Sequence, residues 1–161
     1  MVEIEPITDS GFVALTNLCM LATYDLSELN GARISENGTY FKNNTCQQWL
    51  DDPNYELYFI RVDGELAGFV VVRYIEEDST YYLNHFFVVR KHRRKQIGKE
   101  AAKMAFNKHE GKWRVSQFEW NIPAQVFWRK VVQEYTNNHY QETRRKDDKG
   151  PMQEFTRAIR F

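Results

Sequence analysis

Residues 90–106 read RKHRRKQIGKEAAKMAF, with seven lysines and arginines crowded around one glycine before the run turns apolar and alanine-rich. Ile97, Ala101, Met104, Ala105 and Phe106 share one helical face, and Lys99, Glu100, Lys103, Asn107 and Lys108 take the other. The spacing predicts a helix that begins close to Gly98, directly after the apolar run FFVV. A basic loop fixed between a strand and a helix suits a flexible nucleic-acid arm badly. A helix start does suit an anion such as a pyrophosphate, because its first N–H groups have no intrahelical partner and its dipole is positive there. Gly98 allows an anion or a neighbouring strand to come close, and Arg93, Arg94 and Lys95 add direct charge.

Upstream the period is that of strands. YELYFIRV and ELAGFVVVRYIEE flank Asp63–Gly64, a pair that supplies the positive φ angles of a hairpin turn, and STYYLNHFFVV continues the meander. A helix is expected over residues 11–23 and a polar, glycine-bearing loop over 24–41. A short helix is expected over 43–51, capped by Asn44 or Thr45. Downstream a helix (97–109), a strand (113–119), a helix (123–135) and two strands (139–144 and 152–160) follow. The order ααβββαβαββ describes a mixed sheet flanked by helices on both faces. It is an α/β fold occupying all 161 residues as one domain.

Hydrophobic residues are 42% of the chain and aromatics 15%, which excludes a disordered tail. Cys19 and Cys46 lack zinc-site spacing and read as small buried hydrophobes, so no metal is expected. The acidic N-terminus MVEIEPITDS and the absence of a long apolar run point to a cytoplasmic protein without a membrane partner. The net charge of zero conceals an asymmetry: residues 1–89 hold 4 Lys/Arg against 14 Asp/Glu, and residues 90–161 hold 18 against 8. Either two oppositely charged ligands share a cleft or the two halves attract each other, and composition alone does not choose.

The run VVRKHRRKQIGKEAA resembles the acyl-CoA signature (Q/R)-x-x-G-x-(G/A) of GNAT-superfamily N-acetyltransferases. Arg93 takes the first position and Gly98 the last, while Gln96 replaces the usual first glycine. EWNIPAQVFWRKV is similar to that family's N-x-x-A-x-x-(F)-Y junction, with Asn121, Ala124, Phe127 and Trp128 in its places, and FTRAIRF fits the closing strand. The resemblance implies that acetyl-CoA lies between two parallel strands that splay apart. Its pantetheine arm would pair at Phe87 and Val88, and its pyrophosphate would be wrapped by Arg93, Arg94, Lys95, Gln96, Ile97 and Gly98, near Lys99. Asn121 and Trp128 would touch the arm.

Acetyl transfer to an amine requires the neutral amine, a donor to the developing oxyanion and a leaving thiolate. The backbone N–H of Val88 is the candidate oxyanion donor, and Glu119 and His85 are the candidate bases. Trp128 stands where many GNAT enzymes carry a tyrosine acid, a role that Tyr135 could take instead. Asp25 and Glu28 would draw a cationic acceptor. The expected partners are therefore acetyl-CoA and an unidentified primary amine, with room for a homodimer. A non-catalytic acyl-CoA-binding module is the alternative, and a nucleic-acid binder ranks third.

Overall fold

The computed structural model describes residues 1–40 and 45–158. Asn44, one expected helix cap, and residues 159–160 of the expected last strand lie outside the described residues. The elements run β1 (Val2–Pro6), α1 (Phe12–Asn30), α2 (Thr45–Asp51), β2 (Tyr55–Val62), β3 (Glu65–Ile75) and β4 (Thr80–Val88). They continue with α3 (Ile97–Phe106), β5 (Gly111–Ser116), α4 (Ile122–Thr136), β6 (Gln141–Arg144) and β7 (Pro151–Arg157). The strands form one sheet in the order β1-β2-β3-β4-β5-β7-β6. Only the β4–β5 pair among them is parallel.

Two features depart from the expected order. β1, too short and acidic to stand out in the sequence, pairs antiparallel with β2 from Val2↔Val62 to Pro6↔Tyr58. α1 runs seven residues beyond the expected end at residue 23, through a stretch whose polarity suggested a loop. Within that stretch Glu28 and Asn30 are exposed, while Asp25 and Ser27 are half-buried. The Thr23 and Ser27 hydroxyls donate back to the carbonyls of Cys19 and Tyr24, at 2.9 and 2.6 Å. The helix stops at Gly31, whose φ of 70° supplies the left-handed cap.

The central strands are buried on both faces, so they read as continuous apolar runs. Tyr58, Ile60, Val70 and Val72 join Ala101, Ala105, Phe106, Trp128 and Val132 in the core under α3 and α4. Leu57, Phe59, Phe69 and Val71 join Leu15, Leu18, Cys19 and Cys46 under α1 and α2. The two buried thiols pack sulfur to sulfur at 3.3 Å between those helices.

Two irregularities around β4 position everything that follows. The β3–β4 register jumps from Val71↔His85 to Val72↔Leu83, leaving Asn84 as an extra residue. The parallel register with β5 then ends at Tyr82↔Arg114, so the two strands diverge along the rest of β4. β3 keeps its hold on the diverging half through Gly68, opposite Val88. A Cβ there would lie 1.9 Å from the Phe87 carbonyl oxygen. Gly68→Ala is therefore expected to destabilise the protein by about 3 kcal/mol, read as a lower urea midpoint at an unchanged m-value.

Candidate functional site

The splay leaves an edge of β4 without a strand partner. Successive N–H groups of a strand point to opposite edges. Val89 N–H donates to the Ala67 carbonyl on β3 at 2.8 Å, so the Val88 N–H is aimed at the open side. An extended ligand can pair with such an edge as an added strand would.

The basic loop leaves β4 through one 3₁₀ turn at Arg90–His92 and enters α3 through Gln96. Gln96 stands at φ 67° and ψ 2°, in the left-handed region, and Arg94 has φ 60°. A left-handed residue followed by a helical one turns consecutive N–H groups inward, as in backbone nests that bind anions. The first helical bond is Glu100 N–H to the Gln96 carbonyl at 3.1 Å, so the N–H groups of Ile97, Gly98 and Lys99 lie in the unsatisfied first turn. Arg94, Lys95 and Gln96 are exposed beside them, and Ile97 anchors the turn in the core. The substitution of glycine by glutamine at position 96 thus leaves the turn in place. Gly98 has a packing role: a Cβ there would lie 3.1 Å from the Phe127 ring of α4.

Arg93 is committed inside the protein. Its Nε donates to the Val88 carbonyl at 2.8 Å, its NH2 donates to Asp25 at 2.8 Å, and its guanidinium lies 5.6 Å from the Phe87 ring centre. Arg90 donates to the same carboxylate at 2.8 Å. Burial raises the Asp25 pKa, but the hydrogen bonds from Arg93 and Arg90 outweigh it and hold the carboxyl below the usual carboxylate range. Asp25, expected to draw a cationic acceptor, lies on α1 with its carboxylate paired to the loop arginines. Glu28, one turn further along α1, is exposed and acts in the field of Arg90.

Lys99 reaches across to Glu134 of α4 at 2.7 Å, so its ammonium ties two helices together. Asn121 caps α4 by accepting from Ala124 N–H at 3.2 Å. Trp128 is buried among Phe86, Phe106 and Phe127, edge-on to Phe86 at 5.1 Å. Tyr135 lies about 10 Å further along the helix. It lines a cavity of about 630 Å³ with Phe155 and Arg157, beside the opposite end of β5. Its hydroxyl donates to Asn107 at 2.6 Å.

Of the two candidate bases, Glu119 sits past the end of β5, is mostly exposed, and accepts from Arg144 at 2.8 Å. His85 packs against Trp49 of α2, with ring centres 4.7 Å apart and planes tilted by 33°. The residue is exposed, yet the protein packed around its ring pushes its pKa down to about 4 by desolvation. The imidazole is neutral at pH 7. It can accept a hydrogen bond, but it is a weak base towards an ammonium group.

Several residues that shape the site carried no signal in the sequence. Gln125 is buried and donates to the carbonyls of Phe118 and Glu119 at 3.0 and 3.1 Å, bending the chain where β5 ends. The Tyr82 hydroxyl meets Ser116 Oγ at 2.6 Å, closing the bottom of the splay on the α1/α2 face. Among the described residues no cluster of three or more His, Cys, Asp or Glu could hold a metal ion. None of their helices is long and apolar enough to cross a membrane.

A profile of the Acetyltransferase (GNAT) family matches residues 22–132. Among solved structures, an acetyltransferase from Thermus thermophilus superposes with a TM-score of 0.75 at 11% identity, covering 97% of each chain. The PaiA N-acetyltransferase of Thermoplasma acidophilum, solved in complex with coenzyme A, gives 0.66 at 16% identity over 97% of this chain and 99% of that one. The aminoglycoside acetyltransferase AAC(6')-Ib, also solved with coenzyme A, gives 0.68 at 15% identity over 98% and 95%. At these identities the likeness is one of fold. No curated protein matches the chain significantly.

Two outcomes test this geometry. Gln96→Gly should be neutral or stabilising by up to about 1 kcal/mol, and Gln96→Val should cost about 1–2 kcal/mol, both read by thermal unfolding. Folding lowers the His85 pKa from its ordinary 6.5 to about 4, so its contribution is whole above 6.5 and is lost as pH falls towards 4. Urea midpoints should fall across that window, and His85→Phe should flatten the fall.

Proposed function

The chain belongs to the acetyltransferase (GNAT) family, and on that premise we propose that it transfers an acetyl group from acetyl-CoA to a primary amine within a ternary complex. The observation that carries this reading is the open edge of β4, with its Val88 N–H beside the nest at Gln96–Ile97. The pantetheine arm pairs along Phe87 and Val88. The pyrophosphate lies on the N–H groups of Gln96 to Lys99, with Arg94 and Lys95 supplying charge from outside. Arg93 acts on the donor indirectly, by fixing the Val88 carbonyl and the loop together.

In the reaction the amine releases one proton to solvent and attacks the thioester carbonyl carbon. Negative charge gathers on the carbonyl oxygen, against the Val88 N–H. The C–S bond breaks with its electron pair on sulfur, and the second proton lost by nitrogen ends on the thiol. His85, neutral and on the α1/α2 face, accepts a hydrogen bond from the amine N–H and orients its lone pair; Glu119 stands at the rim. The thiolate, with a pKa of about 8.5 if it behaves like a cysteine thiol, leaves without an obligatory acid. A tryptophan at position 128 is compatible with that chemistry.

Calorimetric titration with acetyl-CoA is expected to give one saturable site per chain, and coenzyme A release should follow when an amine is added. Arg94→Ala combined with Lys95→Ala should weaken acetyl-CoA binding about ten-fold, or about 1.4 kcal/mol, with kcat little changed. Absence of binding at millimolar cofactor would overturn the donor site. Binding without turnover on any amine would identify a non-catalytic acyl-CoA-binding module.

A further inference from the structure

Cys19 and Cys46 are the only cysteines of the chain, and the reaction above uses neither. They come from different helices, α1 and α2, and meet at 3.3 Å between their sulfurs, with 6% and 1% of each residue exposed. Leu15, Leu18, Leu57, Phe59, Phe69 and Val71 close around them. A third polar atom lies in this apolar layer. Thr16, one turn before Cys19 on α1, has a buried hydroxyl that makes no hydrogen bond among the described residues.

Two thiols can fill a core as small apolar side chains do. An unsatisfied hydroxyl beside them does not fit that reading, because burying one without a partner costs stability. It does fit a thiolate. When one proton leaves the pair, the remaining S–H donates to the sulfur anion, and the Thr16 O–H supplies a second donor. The Cys46 thiol is lowered in this way: the Cys19 hydrogen bond is the largest cause, burial works against it, and the Thr16 hydroxyl adds to the lowering. Cys19 is raised, by the same hydrogen bond and by burial. The two sulfurs are therefore unlike. Cys46 gives up its proton first and becomes the nucleophile, while Cys19 keeps its own. A disulfide of about 2.05 Å requires the sulfurs, now 3.3 Å apart, to close by about 1.3 Å. Small rotations about the two Cα–Cβ bonds share that movement. Burial excludes a bulky oxidant such as glutathione disulfide and admits one the size of water.

We propose that Cys19 and Cys46 form a dithiol site oxidised by peroxide, in which Cys46 attacks, Cys19 resolves and Thr16 steadies the charge. The Cys46 thiolate attacks one peroxide oxygen, the O–O bond breaks, and hydroxide leaves to take up the proton that Cys46 released. Cys19 then attacks the sulfur of the resulting sulfenic acid, the S–O bond breaks, and the oxygen departs as water with the Cys19 proton. Two thiols become one disulfide, and one peroxide becomes two waters. The bond ties α1, which holds Arg93 through Asp25, to α2, whose Trp49 packs against His85.

The test treats the full chain, reduced with dithiothreitol and desalted, with an excess of hydrogen peroxide. The expected product has an intact mass lower by two hydrogen atoms, no free thiol and no covalent dimer, and dithiothreitol restores the starting mass. The bond closes the chain between residues 19 and 46, so Tm should rise by roughly 5–10 °C on oxidation and fall back on reduction. Cys46→Ser should slow the reaction with peroxide at least about ten-fold, while Cys19→Ser should gain one oxygen atom in place of losing two hydrogens. Thr16→Val removes the hydroxyl and should slow disulfide formation several-fold, while the reduced protein unfolds at the same temperature or higher. Thiols that stay reduced in the folded chain and react only in urea would overturn the proposal. So would a Cys46→Ser chain oxidised as fast as the unsubstituted one. A disulfide that forms equally fast in Thr16→Val would overturn the role given to Thr16. Each readout is independent of acetyl-CoA, so the donor reading stands or falls separately.

Discussion

The rest of the site depends on the failure of β4 and β5 to remain paired. Their parallel register covers only Thr80–Tyr82 against Lys112–Arg114, and beyond it the strands part. A buried strand edge with unpaired N–H and C=O groups is costly unless something satisfies it. Three devices keep the gap from collapsing. The Asn84 bulge turns the second half of β4, Gly68 lets β3 hold that half at backbone distance, and Gln125 fastens the carbonyls at the end of β5. None of the three contributes a reacting group. They make an open hydrogen-bonding edge a stable feature of the fold, ready for an extended ligand.

The same logic accounts for the first arginine of the basic loop. Arg93 bonds to the Val88 carbonyl and to Asp25, so one side chain ties the strand end, the loop and α1 together. Exposed ion pairs contribute little, about 0–1 kcal/mol each. This guanidinium is half-buried, spans three elements and carries a second role against the Phe87 ring, so geometry matters more here than net energy. Arg94 and Lys95 lie outside this network and remain exposed.

Part of the electrostatic asymmetry of the chain is met by ion pairs within it. Asp25 meets Arg90 and Arg93, Glu65 meets Lys91 and His92, and Asp78 meets Arg114 and Lys146. In each case an acidic residue from the first part of the chain pairs with a basic one from the second. Of the two meanings that composition allowed, mutual attraction of the halves has the better support.

The sequence by itself determined the element types from β2 to β7, the junction at which a basic loop opens a helix, and the family. Each of these is written in a short window: period-two runs, an Asp-Gly turn, a helical stripe from Ile97 to Phe106, and two motifs in order. It did not determine that α1 continues to Asn30, because a polar helical turn and a loop look alike in sequence until distant partners such as Arg93 meet it. Nor did it determine the roles of Asp25, Lys99 and Tyr135, which follow from partners 68, 35 and 28 residues away. The bulge at Asn84 was equally hidden, since β4 carries aromatic and apolar residues on both faces and has no clean alternation for an extra residue to break. Local pattern fixes which backbone conformation a segment prefers. Only the packing of distant segments decides which side chains are left free to meet a ligand.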